Sequence, residues 1–231
     1  MGPGIGAEYF EAPYEEKERE NLFMAVPYLA KLKEKYPLGI EMGRFLSSGC
    51  GTFSTRVKDI KNNSDTEYVI VDGGMHQLKY YGQTMAMKVP EIHVLQAVPQ
   101  DTKKTYCVCG SLCTVADVLV REVELPVLRE EDILLFERCG AYSVTEGSAL
   151  FLSRELPAVY VYSEKKGMQN FMYGKAIELF LVNGSADSLT TAELSNWNGK
   201  AIKIPRTEIS GCHREDIKGV GVYFLMCQED D

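Results

Sequence analysis

Thr52-Phe53-Ser54-Thr55-Arg56-Val57-Lys58-Asp59, the turn Asn62-Asn63-Ser64-Asp65, and Tyr68-Val69-Ile70-Val71-Asp72-Gly73-Gly74 read as strand, turn and strand. Phe53, Thr55 and Val57 alternate with polar neighbours, as in a half-buried strand. Asn, Ser and Asp favour the tight turn between the two runs. Downstream, short apolar runs recur at Ile92–Ala97, Thr105–Cys109, Val118–Leu125, Ile133–Phe136 and Val159–Tyr162, separated by turn residues. Such spacing predicts a β-barrel or sandwich.

Upstream the period changes. Between Tyr14 and Tyr36, Leu22, Val26, Leu29 and Leu32 recur at helical spacing, which predicts an amphipathic helix. Pro27 should kink or restart it, and Pro37 should end it. Leu38–Glu41 reads as a short strand. Ser163–Asn170 is polar and turn-rich and reads as a linker. Beyond it, Ala176–Leu181, Ala201–Ile204 and Gly219–Met226 are strand candidates.

The composition narrows the class. The chain has 231 residues, 45% hydrophobic and 25% charged, as expected of a globular protein. No run approaches the length of a membrane span, and the N-terminus lacks the basic flank and apolar core of a signal peptide. The seven cysteines form no regular framework, which fits a reducing cytoplasm. A net charge of -8 disfavours nucleic acid as a partner of the whole chain.

Several constellations can carry chemistry. Gly2-Pro3-Gly4-Ile5-Gly6 can wrap an anion with backbone N–H groups, or is simply a loose terminus. Glu41-Met42-Gly43-Arg44 sets an acid and a base beside a glycine, as at the end of a barrel strand or in a surface ion pair. Cys113, in Cys109-Gly110-Ser111-Leu112-Cys113, offers a loop thiol as proton donor or nucleophile, or a buried structural residue. Cys107 adds a third sulfur, but the spacing fits no common zinc pattern, so no metal is expected. Tyr142 can bond a phosphate or pack. His76, His93 and His213 lack partner motifs and read as structural or exposed.

The order of these motifs resembles the second half of the pyridoxal-phosphate decarboxylases that act on ornithine, arginine or diaminopimelate. Gly2–Gly6, followed by Ala7-Glu8-Tyr9-Phe10, looks like the family's phosphate-binding glycine motif. Glu41–Arg44 resembles its Glu-Pro-Gly-Arg motif, with Met42 replacing the proline. Phe45–Asp59, Tyr68–Met75, Cys109–Asp117 and Asp132–Tyr142 are similar to further family segments.

The resemblance implies an α+β chain. Residues 1–45 would be the last strands and helices of a TIM-type, alanine-racemase-like barrel, and 46–165 a C-terminal β-barrel or sandwich. A linker would follow at 166–172. It also implies pyridoxal 5'-phosphate as cofactor and an amino acid as substrate. Gly4, Gly6, Gly43, Arg44 and Tyr142 would hold the cofactor phosphate, and Glu41 its pyridine nitrogen. Cys113 would complete a partner's site across a homodimer, or a pairing with a full-length homologue, and Asp72 would line the substrate pocket. No lysine stands in the family's Ala-x-Lys-Ala-Asn context, so inactivity of the chain alone is expected. Thr114 replaces an acid common after the cysteine, and Leu78-Lys79-Tyr80-Tyr81 shows no arginine for a distal carboxylate.

Residues 173–231 resemble, separately, the segment leading into bacterial GIY-YIG nucleases, a small α/β fragment. Gly221-Val222-Tyr223 would be half of the signature, with the catalytic groups beyond it absent. The resemblances together imply a truncated or chimeric chain joined near Met172.

Overall fold

β1 (Gly51–Asn63) is the strand around which the sheet turns. In a computed structural model describing residues 1–140, 142–154, 156–163, 167–172 and 222–226, Phe53, Ser54, Thr55 and Val57 are fully buried, whereas Lys61–Asn63 are exposed. Ser64, at φ 58°, and Asp65 turn the chain into β2 (Thr66–Val71). That strand returns antiparallel from Asn63↔Thr66 to Val57↔Val71, with a bulge between Val57 and Asp59. The bulge raises local twist and frees the start of β1 for other partners.

β4 (Lys103–Cys109) lies parallel to β2 and antiparallel to β5 (Val118–Pro126). On the other side, β6 (Ile133–Phe136) pairs with Phe53–Arg56 of β1 and with β3 (Ile92–Leu95). The order β5-β4-β2-β1-β6-β3 forms a curled, six-stranded half-barrel. Its core holds Phe53, Val57, Val69, Tyr106, Leu134 and Phe136. Each such side chain contributes about 1.5–3 kcal/mol through burial. β7 (Ala158–Ser163) and β8 (Gly167–Met172) form a hairpin, and β9 (Val222–Met226) runs parallel to β7 and antiparallel to the start of β1.

α1 (Tyr14–Lys35) carries Glu15 and Glu16 in its first turn and Lys33 and Lys35 in its last, the charges its dipole favours. Tyr36 leaves the helix in an extended conformation, as a residue before proline must. The N-terminal segment docks on the sheet through a small knot. Arg138 pairs with the largely buried Glu18 and donates to Glu8 O at 2.6 Å, and Tyr9 and Phe10 stack edgewise on Tyr80.

Several expectations are corrected. The described residues are mostly β with few helices, so the α+β class gives way to a β-sheet domain with an N-terminal helix. α1 runs unbroken through Pro27, and its apolar stripe is only partly covered among the described residues: Leu22 and Leu29 are half-buried, Val26 and Leu32 exposed. Leu38–Glu41 is not a strand, although Met1 donates to Gly39 O (2.7 Å) and accepts from Glu41 N (2.9 Å), the bond pair of a parallel bridge. Gly167–Met172, within the stretch read as linker, forms β8. Of the segment read as nuclease-like, 173–221 and 227–231 lie outside the described residues, as does His213. The expected strand ending at Met226 is present as β9. No helix among the described residues is long and apolar enough to cross a membrane.

Candidate functional site

The Met1–Gly39–Glu41 bonds set the glycine run beside Glu41. Gly4 sits at φ +68°, where a side chain would be strained. Glu41 is exposed, and α2 (Gly43–Ser47) begins two residues later.

Arg44 is the centre of the first cluster. Its guanidinium is ion-paired with Glu146, 4.3 Å from the Tyr81 ring centroid and 4.8 Å from that of Tyr142. Two aromatic faces hold the planar cation by cation–π attraction and fix the direction of its fork. Tyr142 occupies φ 60°, a conformation its side chain disfavours, with its carbonyl accepting from Thr145 N (3.0 Å) and Glu146 N (2.8 Å). A side chain on Gly43 would collide with the Tyr142 hydroxyl, so glycine is what admits the phenol against α2.

The second cluster holds the Cys113 loop. Asp117 is buried; its Oδ1 accepts from Met75 N (2.7 Å) and its Oδ2 from Leu112 N (2.8 Å). Burial pushes this carboxyl up, the two N–H groups and Arg154 pull it down, and burial wins. Ser111 N donates to Gly73 O (2.8 Å), Gly110 N to Asp117 O (2.9 Å), and Arg154 to Ser111 Oγ (3.0 Å). The loop is thereby tied to the Gly73–Met75 turn, with the Cys113 thiol exposed.

Asp72 closes the end of β2. Its Oδ1 accepts from Thr55 Oγ1 (2.7 Å) and Arg56 N (2.9 Å), while Oδ2 is buried without a hydrogen-bond partner among the described residues. His76 is buried too, its Nδ1 without a hydrogen-bond partner among the described residues and its pKa pushed down to about 4 by burial and then by the Arg154 charge.

The structure thus brings Gly43, Arg44 and Tyr142 together, sets Glu41 beside the glycine run, and joins the Asp72–Met75 turn to the Cys113 loop. Tyr81, Glu146, Asp117 and Arg154 were not singled out in the sequence. Only Asp117 had a local signal, at the end of the Cys109–Asp117 segment. Among the described residues no group of three His, Cys, Asp or Glu side chains could hold a metal. The first cluster does fit an anionic group. A guanidinium that takes the Glu146 carboxylate presents the same fork to a phosphate.

Residues 44–140 match the sequence model of the family described as pyridoxal-dependent decarboxylase, C-terminal sheet domain. They are homologous to that domain. Diaminopimelate decarboxylase of Methanocaldococcus jannaschii is 25% identical over 171 residues, 73% of this chain and 38% of that protein. The 2-[(L-alanin-3-ylcarbamoyl)methyl]-2-hydroxybutanedioate decarboxylase of Staphylococcus aureus is 27% identical over 174 residues, 72% of this chain and 43% of that protein. The L-glutamyl-[BtrI acyl-carrier protein] decarboxylase of Niallia circulans is 25% identical over 215 residues, 84% of this chain and 45% of that one. An alignment covering 84% of the chain has to run past Met172, so part of the segment read as nuclease-like aligns with a decarboxylase. The comparisons do not support the nuclease fusion.

The crystal structure of the M. jannaschii diaminopimelate decarboxylase with L-lysine superposes with a TM-score of 0.57 at 23% identity, covering 76% of this chain and 41% of that one. That of the Helicobacter pylori enzyme gives 0.54 at 20%, covering 79% and 43%. These likenesses establish the fold of the sheet domain. The chain spans about two fifths of the curated relatives it matches.

Proposed function

We propose that the chain supplies the C-terminal part of a pyridoxal-phosphate-dependent amino-acid decarboxylase of the diaminopimelate/ornithine type. The observation that carries this reading is the Arg44 fork, braced by Tyr81 and Tyr142 and already holding a carboxylate, inside a chain homologous to that family's sheet domain. In this reading Arg44 and Tyr142, with the backbone of Gly4, Gly6 and Gly43, bind the cofactor phosphate in place of Glu146. Glu41 faces the ring nitrogen and keeps it protonated. The cofactor, when bound, supplies the electron sink for the charge left by loss of CO₂.

Cys113 is the proton donor to the product carbon, and its exposure suits a thiol that acts in the site of a paired chain, a second copy or a full-length homologue. Asp72 anchors the turn that carries this loop and borders the substrate side. The lysine that binds the cofactor would come from outside these motifs, so catalysis needs that part of the fold as well. The relatives named above act on different substrates at similar identity, and the proposal therefore names the amino-acid class. A cytoplasmic location belongs to the same proposal.

The test is titration of the protein with pyridoxal 5'-phosphate, followed by visible absorbance and equilibrium dialysis, for the wild type, Arg44→Ala and Tyr142→Phe. Charge-assisted hydrogen bonds of about 1.5–3 kcal/mol predict binding roughly 10- to 150-fold weaker in Arg44→Ala. No binding by the wild type, or equal binding by all three proteins, would overturn the phosphate-site reading.

A further inference from the structure

Two thiols meet on β4 outside the roles assigned above. Cys107 and Cys109 lie two residues apart on an extended strand, so both side chains leave the same face. Their sulfurs stand 3.9 Å apart. The register between β4 and β5 shifts on both sides of Val108, a local irregularity at the pair itself. Neither cysteine is in a disulfide; Cys107 is buried and Cys109 partly exposed.

Geometry separates the chemistries such a pair can support. A disulfide would need the sulfurs to close from 3.9 Å to about 2.05 Å in a strand held by β2 on one side and β5 on the other. A shared metal ion needs almost no movement: at a metal–sulfur distance of about 2.3 Å, sulfurs 3.9 Å apart subtend about 115°. That angle is close to trigonal. Zinc would ask for four ligands, and no group of three candidate ligands exists among the described residues. Soft cations that are content with two or three sulfurs have no such need.

We propose that Cys107 and Cys109 form a two-thiolate site for a soft monovalent cation of the Cu(I) class, with a third position open at the exposed side of Cys109 for a small free thiol. Binding exchanges two S–H protons for one Cu⁺, giving a bis-thiolate of net charge −1 and two released protons, with no change of oxidation state. Burial, reinforced by the neighbouring Cys107, pushes the Cys109 thiol up to about 12. Asp117, whose charge is felt at Cys109, adds a negative field that favours a cation there.

The experiment is anaerobic titration of the full chain with Cu(I) held by a competing colorimetric chelator, read by chelator bleaching and by the ultraviolet thiolate-to-copper band. One equivalent should bind to the wild type and to Cys113→Ser. Cys107→Ser and Cys109→Ser should each weaken uptake at least about 100-fold, with Cys109→Ser, at the less buried position, guarding against a folding defect. Absence of uptake by the wild type, uptake that survives both substitutions, uptake lost only in Cys113→Ser, or loss of two mass units to a Cys107–Cys109 disulfide in place of copper binding would each overturn the site.

Discussion

Asp117→Asn should loosen the Cys113 loop, and the structure sets the size of the effect. The carboxylate accepts one N–H on each oxygen, from Met75 at 2.7 Å and Leu112 at 2.8 Å. Asparagine keeps one acceptor and replaces the other by an NH₂ group. Whichever way the amide is turned, one backbone N–H faces a donor. Losing the charge itself costs little, because burial already works against it. What remains is one buried N–H without an acceptor, worth about 1–3 kcal/mol. For a chain of this size, about 2 kcal/mol lowers Tm by roughly 4–8 °C. Urea denaturation read through its midpoint and slope measures the global loss. Hydrogen exchange then locates it, with protection falling across Ser111–Ala116 and the Gly73–Met75 turn before it falls in β1. A stability change below about 0.5 kcal/mol with unchanged exchange in that loop would refute the claim that Asp117 is its anchor.

Two further outcomes follow from the same structure. His76 has its folded pKa depressed to about 4 against 6.5 in the unfolded chain, so the unfolded state binds more protons between those values. Its contribution to stability is complete above about pH 6.5 and is lost as pH falls toward 4, at up to about 1.4 kcal/mol per pH unit; His76→Gln should flatten that slope in denaturation curves taken at pH 7 and pH 5. Arg138→Met leaves the largely buried Glu18 carboxylate without its ion pair, with Glu8 N (2.9 Å) still donating to it, and a loss of about 3 kcal/mol is expected, read as lost exchange protection over residues 8–18.

Strand positions were legible because their apolar alternation is local. Phe53–Val57, Tyr68–Val71, Thr105–Cys109 and Ile133–Phe136 all lie where their spacing puts them. The Ser64-Asp65 turn was legible for the same reason. α1 shows the limit: Leu22, Val26, Leu29 and Leu32 have helical spacing and form a helix, yet spacing does not say what covers the stripe, and Val26 and Leu32 stay exposed. β8 was missed because its pairing with β7 outweighs a turn-prone composition. At the candidate site, the order of motifs pointed to Arg44 and Tyr142, which lie together, whereas Glu146 lies 102 residues from the arginine it pairs with. Asp117 meets Met75 across 42 residues. Such partners are chosen by the folded sheet, and no local pattern announces them.

The division of β1 between two sets of partners also bears on the order in which the chain folds. Its far half meets β2 across a two-residue turn, a contact that forms early because little chain entropy opposes it. Its near half meets β6 only after a loop of roughly 80 residues has closed, at an extra entropic cost of about 3 kcal/mol. The β1–β2 ribbon can therefore exist before the curl does, and the curl is completed by its most distant pairing. Thr55, which holds the Asp72 carboxylate, lies in that late half. The turn beside the Cys113 loop therefore gains its support only after the hairpin it belongs to has formed.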